Sequence, residues 1–64
     1  MFKRYVIFDA RARYDVDAAA VMGIYDSKAG AEKQIKENYP SDTAIFEYDV
    51  TNDGKNYFDG QLVN

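Results

Sequence analysis

The stretch Gly23-Ile24-Tyr25-Asp26-Ser27-Lys28-Ala29-Gly30-Ala31-Glu32 decides the fold, because a strand pattern ends in it and a capped helix begins. Bulky and β-branched residues favour a strand from about Ala20 to Asp26. Ser27, with Asp26 as the alternative, is expected to cap the helix, since its side-chain oxygen can accept a hydrogen bond from a free N–H group of the first turn. A strand that leads directly into a helix in so short a chain predicts an α+β domain.

The predicted helix runs from Lys28 to Asn38. It ends there because Pro40 cannot continue the helical hydrogen bonding and disfavours a helical conformation of the residue before it. Ala31, Ile35 and Tyr39 recur every four residues, so they predict the stripe of the helix that packs on a sheet.

Three further segments alternate with the period of a strand. The first runs from Phe2 to Tyr14, the third from Thr43 to Thr51, and the fourth from Asn56 to Val63 after the turn Asn52-Asp53-Gly54-Lys55. The sequence therefore predicts a ββαββ fold of the α+β class in a single domain over residues 1–64. If the crossover through the helix is right-handed, the four-stranded antiparallel sheet has the order 2-1-3-4, with the helix on one face.

One helix covers only one face of such a sheet. The even-numbered face is expected to meet the helix, with Val6, Phe8, Ala10, Met22, Ile24, Phe46, Tyr48 and Val50 on it. This leaves the apolar residues Tyr5, Ile7, Val21, Tyr25 and Ile45 on an open face. Such residues are either scattered surface side chains or an interface.

Composition excludes several classes of protein. The chain has 64 residues with no Cys and no His, which excludes disulfides, thiol catalysis and zinc sites of the usual kind. A core this small is commonly supplemented by a partner subunit. The net charge of −3 does not favour nucleic-acid binding. No apolar run approaches the ~20 residues that span a bilayer, so we expect a cytoplasmic protein that does not bind a membrane.

Two acidic groups could be read as metal or catalytic sites. Asp49-x-Thr51-x-Asp53-Gly54 resembles the first half of a calcium loop, but Gly60 stands where the bidentate Glu belongs, and a hairpin turn explains the same residues. The second group is Asp15 and Asp17, with Asp9 and Asp26 possible neighbours. It lacks a basic or nucleophilic partner, so solvated carboxylates are expected. The sequence therefore predicts no enzyme, no metal and no cofactor.

Lys3, Arg4, Arg11 and Arg13 flank Tyr5, as basic residues do on sheets that stack single-stranded bases. The carboxylates of Asp9, Glu47 and Asp49 alternate onto the same face and would repel phosphates. Ion pairs with these carboxylates across the strands are the expected use of the arginines.

The chain resembles a family of small uncharacterised αβ domains found in bacterial and phage genomes. The matching elements are the opening strand that ends in acidic residues (Tyr5 to Asp17), the Gly23-Ile24-Tyr25-x-Ser27 step, Ala31, Phe46-x-x-Asp49, and a closing aromatic-x-x-Gly motif near Phe58, Asp59 and Gly60. Lys28-Ala29-Gly30 departs from the Glu-rich first helical turn of the family. The resemblance implies a ββαββ-type fold and a prokaryotic or phage setting, with the host cytoplasm as location if the protein is phage-encoded.

These observations predict a non-catalytic interaction domain that binds itself, as a homo-oligomer, and another protein. In a phage setting, the expected role is an accessory protein that modulates a host protein. The predicted binding residues are Tyr5, Ile7, Tyr25 and Ile45, with Arg11 and Arg13 as charges at the rim. The alternative is a binder of a small ligand or nucleotide, with its pocket at an oligomer interface.

Overall fold

The computed structural model describes residues 1–9, 20–39 and 42–64. The chain forms β1 (Phe2–Asp9), β2 (Val21–Tyr25), α1 (Lys28–Asn38), β3 (Thr43–Val50) and β4 (Tyr57–Leu62). The four strands make one sheet in the order β2-β1-β3-β4, and every neighbouring pair is antiparallel. The predicted α+β fold with ββαββ order is confirmed.

The boundaries of the elements follow the sequence signals closely. The Ser27 side chain accepts a hydrogen bond from the Gly30 N–H at 3.0 Å, which is the predicted helix cap. The helix ends at Asn38, and the backbone of Tyr39 is already non-helical. The predicted continuation of the first strand, from Ala10 to Tyr14, lies outside the described residues.

The predicted hairpin turn is confirmed between β3 and β4. Gly54 has a φ of 75°, a conformation that glycine adopts without strain. Its N–H donates to the Thr51 carbonyl at 2.8 Å, and the Asp53 carboxylate accepts from the Lys55 N–H at 3.0 Å. The residues that resemble half a calcium loop thus hold the turn together.

The helix packs on the face of the sheet opposite to the one predicted. Ala31 of α1 contacts Ile7 and Ile45, and all three are fully buried. The odd-numbered face is therefore the helix-covered face, and the prediction that it lies open is wrong. Both faces of this sheet are apolar, so hydrophobicity cannot select the side on which the helix lies. The side is decided by the hand of the crossover from β2 through α1 to β3.

A bulge in β2 explains a second difference from the prediction. Tyr5 pairs with Tyr25 and Ile7 with Gly23, but Phe8 pairs with Val21. Residues directly opposite in an antiparallel pair share a face. Val21 consequently lies on the even-numbered face with Phe8, not on the odd-numbered face where strict alternation puts it.

α1 has 11 residues, and no helix in the described ranges is long and apolar enough to cross a membrane.

Candidate functional site

The four predicted binding residues lie together, but beneath the helix. Ile7 and Ile45 are fully buried, and Tyr5 and Tyr25 pack against the same cluster, half-buried. Together with α1 they form the core between helix and sheet, so Ile7 and Ile45 are not available to a partner at the surface. Arg11 and Arg13, the predicted rim charges, lie outside the described residues.

Polar groups on the helix-covered face pair with one another across the strands. The Tyr5 hydroxyl donates to Glu47 Oε2 at 2.9 Å, and Lys3 forms ion pairs with Asp49 and, at 3.7 Å, with Glu47. The hydrogen bond to Glu47 raises the pKa of Tyr5, and burial adds to this effect. Lys3, not an arginine, makes these ion pairs. The predicted pairing of the arginines with these carboxylates is wrong for Arg4, whose ion-pair partner is Asp26.

A polar depression of about 370 Å³ lies beside these ion pairs. Its lining consists of Lys3, Glu47, Asp49, Asp59, Gly60 and Gln61. Within the described part of the chain, no three carboxylates are grouped so that they could hold a metal ion.

The opposite side of the sheet, which we call the helix-free face, has an apolar floor. Val6, Phe8, Ala44 and Phe46 form a buried cluster, and Tyr48 packs against it. The Phe8 and Phe46 rings meet edge to face, with centroids 5.5 Å apart. Burial raises the pKa of the Tyr48 hydroxyl.

Exposed apolar side chains stand on both edge strands of the helix-free face. On β2, Val21 is 58% exposed and Ile24 is 50% exposed. On β4, Tyr57 is 39% exposed and Leu62, which pairs with Phe46, is 49% exposed. Two apolar rims thus flank an apolar floor. Sequence reasoning assigned Ile24 to the helix interface and did not select Tyr57 or Leu62. The alternation along β2 correctly predicts that Ile24 lies on the even-numbered face. It does not predict that the helix lies on the opposite face.

An apolar depression of about 240 Å³ lies between the two rims. It is lined by Val6, Phe8, Val21, Ile24, Tyr48 and Tyr57. The rings of Tyr48 and Tyr57 meet at 5.9 Å between centroids, which connects the rim on β4 to the floor.

Charge is nearly absent from the helix-free face. Among the described strand residues with a paired partner on this face, Arg4 alone is charged. Asp59, in the irregular part of β4 opposite Tyr48, lines the polar depression with Lys3, Glu47 and Asp49. Arg4 Nη1 lies 3.0 Å from Asp26 Oδ1, and its guanidinium lies 4.4 Å from the centre of the Phe2 ring. Arg4, the one cation among these described residues, therefore has an ion-pair partner in its own molecule.

No protein-family model matches the chain, and neither the curated proteins nor the solved structures contain a match to it.

Proposed function

We propose that this protein is a non-catalytic interaction domain and that its helix-free face binds a second copy of the same chain. The observation that carries the proposal is the pair of exposed apolar rims, Val21 with Ile24 and Tyr57 with Leu62, on either side of one apolar floor. A contiguous apolar surface of this kind is typical of a protein–protein interface. The proposal keeps the predicted function and moves it to the other face of the sheet.

A second copy fits this surface in size. The molecule measures 32 × 24 × 16 Å, so its thickness accommodates one sheet and one helix. The two longer axes measure 32 and 24 Å, so an interface of standard size, about 800 Å² on each partner, would occupy most of one broad side. A face-to-face pair of sheets would give each floor the second apolar layer that the helix gives to the other side.

A second copy also fits in charge and topology. Because Arg4 is paired with Asp26 in its own chain, two copies bring no unpaired charge from this pair together. The sheet order β2-β1-β3-β4 places the two rims on opposite edges. A twofold axis parallel to the strands would set β2 of one copy over β4 of the other. Ile24 and Leu62 are level along the strands, so they would face each other across the axis, a self-complementary arrangement.

Light scattering coupled to gel filtration tests the proposal. We expect a mass of twice 7.3 kDa for the protein and a shift toward 7.3 kDa for Ile24→Ser and Tyr57→Ser. Lys36→Ser, on the exposed side of α1, is the matched control and should keep the mass of the unsubstituted protein. A mass of 7.3 kDa at every concentration would overturn self-association. An equal loss of mass in the Lys36 control would overturn the assignment to this face.

The apolar depression between Tyr48 and Tyr57 favours a second candidate, a small-ligand binder whose site is completed at the interface between two copies. Mass spectrometry of molecules released from heat-denatured protein distinguishes the two candidates. A stoichiometric small molecule supports the ligand binder, and its absence from a dimeric preparation supports the interaction domain alone. The bacterial or phage setting, and a role on a host protein, belong to the same proposal and rest on the sequence resemblance.

A further inference from the structure

The bulge in β2 determines which of two neighbouring apolar residues lies on the helix-free face. Phe8 pairs with Val21 and Ile7 with Gly23, so Met22 is the extra residue. A regular register would continue from the Ile7–Gly23 pair by pairing Phe8 with Met22. Val21 would then turn to the helix-covered face and Met22 to the helix-free face, because a slip of one residue exchanges the two sides of a strand.

Contacts at Asp9 hold the strand on the far side of the bulge. The Asp9 N–H donates to the Ala20 carbonyl at 3.2 Å, and the Ala20 N–H donates to Asp9 Oδ2 at 3.3 Å. These bonds fix the residue that precedes Val21. They do not involve Met22, the extra residue of the bulge.

Tyr39 supplies that partner from the helix. Its ring packs in the core beneath α1, and its hydroxyl donates to the Met22 carbonyl at 3.1 Å. Tyr25 lies beside it: burial raises the pKa of Tyr25, and contact with the Tyr39 hydroxyl adds to the shift. The Tyr25 ring occupies the space over Gly23, where a Cβ atom would come within 2.7 Å of it. The bulge is thus held from the helix-covered side, by the Tyr39 hydroxyl at Met22 and by the Tyr25 ring over Gly23.

We propose that Tyr39 is a positioning residue that holds the β2 bulge at Met22 and thereby presents Val21, not Met22, on the helix-free face. The role follows from the hydrogen bond of Tyr39 to the extra residue of the bulge. Its consequence for self-association rests on the function proposed above.

Tyr39→Phe tests the positioning role directly, because it removes the hydroxyl and keeps the ring. Loss of one exposed hydrogen bond should shift the equilibrium between the two registers by about twofold to fivefold. We expect nuclear Overhauser contacts from the Phe8 ring to Val21 to weaken, contacts to Met22 to appear, and the slowest amides of β2 to exchange faster by the same factor. Tyr5→Phe removes a hydroxyl from the same face whose hydrogen bond goes to Glu47 of β3, and should leave the β2 bulge unchanged.

Unchanged Phe8–Val21 contacts and unchanged exchange in Tyr39→Phe would overturn the proposal, whatever the protein's mass in solution. A loss of the same contacts in Tyr5→Phe would show that they report general loosening, and would overturn it as well. These measurements need no self-association, so the positioning role can fail or stand independently of the proposed function.

A second measurement concerns the interface. In the unsubstituted background, Val21→Asp should abolish self-association and Met22→Asp should weaken it far less. In the Tyr39→Phe background, the difference between the two substitutions should shrink, since Met22 then shares the place of Val21. An undiminished difference would contradict control of the face by Tyr39.

Discussion

The ring of Tyr48 lies against the backbone of Gly60, at a distance where a Cβ atom on residue 60 would come within 2.5 Å of Tyr48 Cε1. The site is a bulge in β4: Glu47 pairs with Gln61 and Asp49 with Phe58, so Asp59 and Gly60 together oppose Tyr48. Asp59 has a φ of 55°, a left-handed conformation that Asp tolerates better than most residues. Because Gly60 has no side chain, the Tyr48 ring can lie against its backbone on the helix-free face.

Gly60→Ala should displace the Tyr48 ring. We expect a loss of about 1 kcal/mol in the free energy of unfolding, since the ring must move out of a packed position. We also expect weaker self-association. Urea denaturation and light scattering measure the two effects. Gly54→Ala is the control, because its positive φ strains any side chain while no atom lies within 4 Å of the added Cβ. It should lower stability without changing association; equal effects of both variants on association would count against a role for the Tyr48 wall.

The same substitution, Ile to Ser, should have different effects on the two faces of the sheet, at Ile45 and at Ile24. Ile45 is fully buried beneath α1, so Ile45→Ser should cost about 3 kcal/mol or more in unfolding free energy. Ile24 is 50% exposed, so Ile24→Ser should cost less than about 1 kcal/mol and weaken association instead. Urea denaturation of both variants gives the comparison. A stable, dissociated Ile45→Ser protein would restore the original assignment of the open face.

The elements of this fold could be predicted because their signals are local. Ser27, Pro40 and the alternation from Thr43 to Val50 determine the helix cap, the helix end and a strand without reference to the rest of the chain. The side of the sheet on which α1 lies could not be read in this way, because both faces are apolar and the crossover decides. The face of Val21 was predicted wrongly because a bulge in β2 breaks the period of two on which the prediction rested.

Part of the candidate site was nevertheless within reach of the sequence. One helix leaves one apolar face of the sheet uncovered, whichever face it covers. Tyr5, Ile7, Tyr25 and Ile45 were predicted on the open face, but the helix covers their face and leaves the even-numbered face open. The face of Leu62 was harder to predict from alternation along β4, since the register between β3 and β4 changes at Asp59 and Gly60.

High pH should destabilise the protein in part through Tyr5. Its folded-state pKa is raised by the hydrogen bond to Glu47, so the neutral hydroxyl is favoured in the folded protein. This contribution is fully present below the unfolded pKa of about 10 and is lost as the pH rises through the folded-state pKa. Urea denaturation from neutral pH to above pH 10 should show the loss. The free energy of unfolding should fall less steeply with pH in Tyr5→Phe. An identical pH dependence in both proteins would show that the hydrogen bond to Glu47 does not affect the titration of Tyr5.

Low pH should loosen the turn between β3 and β4. Hydrogen bonds from the Thr51 hydroxyl and then from the Lys55 N–H lower the pKa of Asp53. The stability from these bonds is present above the unfolded pKa of about 3.9 and is lost as the pH falls through the lower folded-state value. Asp53→Asn should reduce the acid dependence of unfolding in this range. If acid denaturation of Asp53→Asn follows that of the unsubstituted protein throughout, the carboxylate does not stabilise the turn.

The most direct test of the central claim is isotope-filtered nuclear magnetic resonance on an equal mixture of carbon-13-labelled and unlabelled protein. Only contacts between two different copies give signals in this experiment. The account predicts intermolecular contacts from the methyl groups of Val21, Ile24 and Leu62 to the Tyr57 ring and its neighbours on the helix-free face. Intermolecular contacts confined to the outer side of α1, or no such contacts at any concentration, would contradict it.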